Sequence, residues 1–364
     1  MKRILPILLI FIIALGACAG PVQPPAPPVA TAPEAAPDDC CPPEDEQIEE
    51  ADNASQLSFY VVDQAGREVY IEGPVERLVS GFFISTSACI ALGLTDRLVG
   101  VESRVGDRPL FMMSAPELLD LPETGTARDF NLETTAALEP DLVILPLRLM
   151  DASEILTELG ITVIMVNPES HEELVEMIEL IGRATGTDSR ARQLIQHYED
   201  ELAAIAALVA MVDQRPIVQM GGNSSYLTTA PRDMYQASLI YSAGGINVAH
   251  DIEGRFWTEI SYEELIALNP EVIIIPSEAA YSKDDILANP MLSLIDAVAT
   301  GRVYAMPRAF EAWDAPVPSG ILGLRWMLHV LHPDLYSLEE LRENAAAFYR
   351  EFYGIEIDTS VIGS

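Results

Sequence analysis

The chain has 364 residues, with 56 acidic side chains against 21 basic ones and a formal net charge of −35. So acidic a surface is repelled by phosphate backbones, which argues against nucleic-acid binding. With 49% hydrophobic and 21% charged residues the chain is not disordered overall, and its length allows one to three domains. The basic set is 19 Arg and two Lys, Lys2 and Lys283. A GC-rich genome or a salty habitat would give that bias, and so would arginines kept for anion contacts; only individual positions can separate these.

Met1-Lys2-Arg3 is followed by an apolar run from Ile4 to Leu15. Twelve residues are too few to span a bilayer as a helix, which needs about 20, but they fit the core of a secretory signal. The run ends in Leu15-Gly16-Ala17-Cys18. This resembles a lipobox, which implies a signal peptide over residues 1–17, acylation of Cys18 and a mature chain held to a membrane by its lipid. Nine prolines then lie between Pro21 and Pro43, and nine acids between Glu34 and Asp52. Residues 18–53 are therefore expected to form an extended, solvated tether. Cys40 and Cys41 sit in it; adjacent cysteines bridge each other poorly, and two thiols with no nearby His are a weak metal site. Cys89, among Ser85–Leu92, reads as a buried packing residue.

Past the tether the elements alternate. A hairpin is predicted over Ser58–Asp63 and Glu68–Ile71. Strand Leu78–Ser80, helix Ile84–Leu92 and strand Leu98–Glu102 follow, then strand Leu142–Leu145, helix Met150–Leu159 and strand Thr162–Asn167. This alternation predicts a parallel, doubly wound lobe over residues 54–170. Helices are predicted over Glu172–Ala184 and Asp188–Val212, within a connecting region 171–213. The second has apolar residues at i, i+3, i+4 spacing and predicts a stiff connector about 37 Å long. A second lobe, residues 214–364, is predicted from strands Pro216–Met220, Val272–Ile275 and Val303–Met306 and helices Pro318–Leu331 and Leu338–Phe352. A repeat supports the two-lobe reading. Asn131–Pro146 and Ser261–Pro276 align without gaps at an offset of 130, each a capped helix, a Pro break and an apolar strand closed by a second Pro. The fold class expected is α/β, two doubly wound lobes joined by a single long rigid helix with a ligand cleft between them.

Several segments carry a family resemblance. Arg77–Ser80, Ala91–Arg104, Asn131–Ile144 and Leu159–Val163 resemble, in order and spacing, the first lobe of class III periplasmic substrate-binding proteins. Trp257–Glu264 and Leu268–Ile274 resemble the matching part of the second lobe. Such proteins serve ABC importers of siderophores, haem and vitamin B12. The similarity runs from about Val75 to Leu335. It implies two lobes with a cleft, a long connecting helix and only small closure on binding.

Ligands of open α/β sheets sit beyond the carboxyl ends of the strands. Arg104, Arg148 and Arg308 each follow a predicted strand closely, Arg232 lies in the loop after Tyr226, and Arg255 stands beside Trp257. Guanidinium forks suit carboxylate, phosphate, hydroxamate or catecholate oxygens. Phe82, Phe83, Tyr226, Trp257, Phe310 and Trp313 accompany them as candidate aromatic contacts, with Asp314 as a polar one. The resemblance adds weight to Trp257, because a vitamin B12-binding relative has Trp at that place. Gly221-Gly222 after the second lobe's first strand would let backbone approach a ligand. Loop arginines also pair with surface acids, and Trp326 at helical spacing reads as core.

Glu133 and Glu263 occupy the same repeat position, seven residues before Pro140 and Pro270. The resemblance implies that they meet arginines of a dimeric permease. Acids in a first helical turn also favour the helix dipole, and Ser261 with Glu264 forms a capping-box pattern. Of five histidines, only His250 beside Asp251 is placed in a lobe loop, so no bare-metal site and no cofactor is expected. No G-x-S-x-G or H-E-x-x-H pattern occurs, and no catalytic step is expected. The function implied is that of a monomeric, lipid-anchored carrier in the cell envelope, facing periplasm or exterior. It would bind an iron chelate (siderophore or haem) or a corrinoid and deliver it to an ABC permease dimer. A carrier of bare metal or of an oxyanion such as molybdate is the alternative, and a surface enzyme on the same frame the third reading.

Overall fold

The structure is a computed structural model that describes residues 58–363. The expected signal peptide, Cys18, the expected tether and Cys40-Cys41 lie outside the described residues. The described chain opens with β1 (Phe59–Val62) and β2 (Glu68–Ile71), an antiparallel hairpin with Phe59 opposite Ile71. Asp63 anchors it. Its Oδ2 accepts from Met165 N at 3.0 Å and from the Arg67 guanidinium at 2.7 Å.

The first lobe contains β3 (Leu78–Ser80), α1 (Phe83–Ala91), β4 (Leu98–Val101), α2 (Pro109–Ser114), α3 (Leu132–Ala137), β5 (Leu142–Pro146), α4 (Met150–Glu158) and β6 (Val163–Val166). Its strands pair in the order β4-β3-β5-β6, all parallel. β5 and β6 are buried along their whole length, as helices on both faces of a parallel sheet require. α5 (His171–Thr185) and α6 (Asp188–Val209) follow. The 22 residues of α6 span about 33 Å, three residues short of the expected end, because the chain tightens into turns at Met211 and Val212.

The second lobe contains β7 (Ile217–Met220), β8 (Thr228–Thr229), α7 (Tyr235–Ser242), β9 (Ile246–Asn247), β10 (Thr258–Glu259), α8 (Tyr262–Leu268), β11 (Val272–Ile275), α9 (Lys283–Leu287), α10 (Asp296–Ala299) and β12 (Val303–Ala305). The parallel sheet runs β12-β11-β7-β9, and β8 pairs with β10 antiparallel. α11 (Gly320–Leu331) and α12 (Leu338–Tyr353) end the fold.

The repeat extends to the backbone. Asn131 and Ser261 cap α3 and α8 with their side chains. Glu139 and Asn269, each just before the repeat's proline, both take positive φ, at 45° and 42°. Asn tolerates that region better than Glu does.

The lobes share one apolar core that runs from Val61 through Ile205 and Val209 of α6 to Ile362. The last helix, assigned from sequence to the second lobe, lies against the first. Tyr353 OH is 2.9 Å from Ser87 Oγ of α1, and Arg190 of α6 ties Ala91 O to Glu351 O.

Candidate functional site

Segments that follow the carboxyl ends of the two sheets are brought into contact across the lobes. Arg108, after β4, reaches Glu278, after β11, at 3.6 Å. Arg255, in the β9–β10 loop, reaches Glu173, in the first turn of α5, at 3.6 Å. Leu110 N donates to Phe310 O at 2.9 Å. These segments bound the candidate cleft.

Its first-lobe wall begins at Gly81, where the chain turns out of β3; a Cβ there would stand 2.6 Å from Leu145 Cδ2. Phe82 and Phe83 follow, both partly exposed, with ring centroids 5.1 Å apart at 73°. Arg108 lies over Phe83 at 3.9 Å, and Arg148 near Phe82 at 5.5 Å. Both are within cation–π range. On the facing wall Trp257 packs over Gly222, where a Cβ would meet its indole at 3.2 Å; the glycine thus makes room for the ring. Tyr226 stands edge-on to Tyr281, 5.5 Å away, and its hydroxyl is 3.0 Å from those of Tyr262 and from Asn289 Nδ2. Phe256, beside Trp257, is 84% exposed.

The arginines differ from the expectation of a basic cleft. Arg104 adopts a left-handed conformation, φ 72°, points into solvent and binds Asp107 at 2.8 Å. Arg232 pairs with Glu253 and, at 3.7 Å, with Asp233. Arg108 and Arg255 have the carboxylate partners described above. Arg148 and Arg255 both act on Glu169, whose carboxyl burial nonetheless raises above the usual range. Arg308 is exposed. Most of the arginine charge is thus compensated within the protein.

Two expected contacts are corrected. Phe310 is 5% exposed and packs on Tyr349, with centroids 5.3 Å apart. Trp313 is 1% exposed, and its Nε1 donates to Tyr349 OH at 2.9 Å. Both belong to the core beneath the rim, where a large ring with a satisfied polar handle is stable. Asp314 is likewise buried, bonded to Ser277 N at 3.2 Å and to the Ser277 hydroxyl, and burial raises its carboxyl.

Sequence reasoning passed over Arg108, Glu278, Glu169, Glu173 and the buried Glu102. Arg108 follows the same strand as Arg104 and stands just before Pro109, at the start of α2, a signal equal to the one that drew attention to Arg104. Glu102 lies inside the segment that carries the family resemblance.

Glu133 and Glu263 are exposed on α3 and α8. Glu264 is committed to its own helix, its Oε2 accepting from Ser261 N at 2.7 Å. An open depression of about 410 Å³ beside Glu133 is lined by Ser103, Glu123, Asp129 and Asn131, all of the first lobe. No cluster of three or more His, Cys, Asp or Glu arranged to hold a metal occurs among the described residues. His250 bonds Asn247 O at 2.9 Å and faces Asp251.

Residues 82–309 match the model of the family described as periplasmic binding protein. The Bacillus subtilis ABC transporter substrate-binding lipoprotein YvrC is 25% identical over 311 residues, covering 82% of this chain and 93% of the relative. The molybdate-binding protein MolA of Haemophilus influenzae is 24% identical over 335 residues, 82% and 93%. A cobalamin-binding protein of Halobacterium salinarum is 27% identical over 268 residues, 71% of each chain. Among solved structures, a periplasmic solute-binding protein of Veillonella parvula superposes with a TM-score of 0.73 at 27% identity, over 84% of this chain and 95% of that one. Two parallel-sheet lobes in contact through segments that follow their carboxyl ends, joined through α6, agree with these matches: the chain belongs to the periplasmic binding protein family, as a class III substrate-binding component of an ABC importer.

Proposed function

We propose that this chain is a lipid-anchored extracytoplasmic receptor that captures a flat, metal-containing organic ligand of corrinoid type and passes it to its permease without a catalytic step. The observation that carries the reading is the charge state of the cleft. Arg108, Arg232 and Arg255 are each paired with carboxylates, while Phe82, Phe83, Tyr226, Phe256 and Trp257 keep exposed surface. An anionic siderophore would have to displace those carboxylates. A large ligand of low net charge needs only aromatic surface and a few polar anchors. The cobalamin-binding relative supports the same choice. Glu133 and Glu263, one on each lobe at matched positions, suit docking to a two-fold permease, and Cys18 the lipid anchor.

Calorimetric titration with cyanocobalamin, haemin, a ferric tris-catecholate and molybdate tests the ligand. Saturable binding of cyanocobalamin is expected, weakened about tenfold, or about 1.4 kcal/mol, in Trp257→Ala. Binding of molybdate alone would transfer the reading to the oxyanion class, and binding of the ferric catecholate or haemin alone to iron uptake.

A further inference from the structure

A buried polar seam lies behind Phe83 at the join between the lobes, and ligand contact does not account for it. Glu102, just after β4, is 5% exposed; Glu311, six residues after β12, is 6% exposed. Arg108 serves both. Its Nε is 4.0 Å from Glu102 Oε1, and its charge also acts on Glu311, while its Nη1 reaches the half-exposed Glu278 at the mouth. One oxygen of each buried carboxyl is satisfied: Thr86 Oγ1 donates to Glu102 Oε2 and Ser319 Oγ to Glu311 Oε2, each at 2.5 Å. The second oxygen of each, and Arg108 Nε, have no hydrogen-bond partner among the described residues.

A buried carboxylate oxygen without a donor is costly while the group is charged and tolerable once it is protonated. Arg108 is the one cation that acts on either carboxyl among the described residues; Ser87 of α1, whose hydroxyl also bears on Glu311, Cys89, and Tyr349 and Tyr353 of α12 complete the surroundings as neutral groups. Arg108 also faces Glu278, but that carboxylate is half-exposed and screened by solvent; within the buried seam two carboxyls share one guanidinium, and the buried charges balance when one of them holds a proton. The seam also carries the Leu110–Phe310 bond between the lobes.

We propose that Glu102, Arg108 and Glu311 form a one-proton latch, firm while one of the two carboxyls is protonated and looser once both ionise. Burial pushes Glu102 up to about 7 and raises Glu311 as well, so the proton leaves near neutral pH. The latch needs no ligand and is independent of what the cleft carries.

Hydrogen exchange of the segment 108–114 in the full chain tests it, read as protection factors so that the intrinsic pH dependence of exchange cancels. Between pH 5.5 and 8.5 protection is expected to fall about tenfold. Glu102→Gln and Glu311→Gln should each abolish the fall, because the remaining carboxylate balances Arg108 alone. Thermal midpoints establish that each variant is folded; if one is not, the other decides. Protection that does not change with pH in the unaltered chain, or a fall that persists in a folded Gln variant, overturns the latch.

Discussion

Trp313 is a buried indole whose one polar atom is satisfied inside the core. Trp313-Asp314-Ala-Pro316 has the composition of an exposed turn, and an aromatic there suggests a rim contact. The structure turns the indole inward, with its N–H on Tyr349 OH and its backbone pressed against Gly323 of α11, where a Cβ would stand 2.1 Å from Trp313 O. Trp313→Phe keeps the apolar ring but deprives Tyr349 of its donor. It should cost about 1–3 kcal/mol in urea unfolding while leaving cyanocobalamin affinity unchanged. Trp257→Ala is expected to do the reverse. Residue type marked both as aromatic anchors; burial, which depends on how the chain folds back from Trp313 onto α11 and on Tyr349 of α12, separates them. Arg108 carried the same local signal as Arg104, a strand end; what sequence does not show is its pairing with Glu278, 170 positions away.

The elements were more legible because their signals are local. Prolines 140, 146, 270 and 276, side-chain caps and the connector's apolar periodicity place most boundaries within one to three residues. The short α2, α7, α9 and α10 escaped, being four to eight residues long with too few turns to show a period. The repeat is informative beyond boundaries: it sets Glu133 and Glu263 on equivalent first turns and frees both, while Glu264 closes a capping box. Glu133→Ala with Glu263→Ala should abolish uptake in cells and leave calorimetric ligand affinity unchanged. Glu264→Gln should keep uptake and lose about 1 kcal/mol of stability through the weakened cap. Loss of uptake in Glu264→Gln alone would assign docking to the wrong carboxylate.

At the scale of the whole molecule, a net charge of −35 predicts a stability that simply declines as acids ionise. The buried groups refine this. Burial raises Glu102 to about 7, so its contribution is fully present below the usual carboxyl pKa of about 4.5 and is lost as pH rises through 7. His171 opposes it. Its ring is buried at the start of α5, with Nδ1 3.1 Å from Tyr198 OH of α6 and its face edge-on to Tyr235 of α7, and burial lowers it to about 4. Its contribution is present above 6.5 and is lost as pH falls toward 4. Between pH 5 and 6 the two slopes oppose each other, and each approaches about 1.4 kcal/mol per pH unit. Single variants should therefore expose slopes of opposite sign relative to the unaltered chain. In urea unfolding at pH 5 and pH 6, His171→Phe should gain stability on the acid side by about that amount, and Glu102→Gln should gain it on the neutral side. Parallel pH profiles for the three proteins would mean that neither group changes its protonation between the folded and unfolded states, despite their burial at the two places where the lobes are joined.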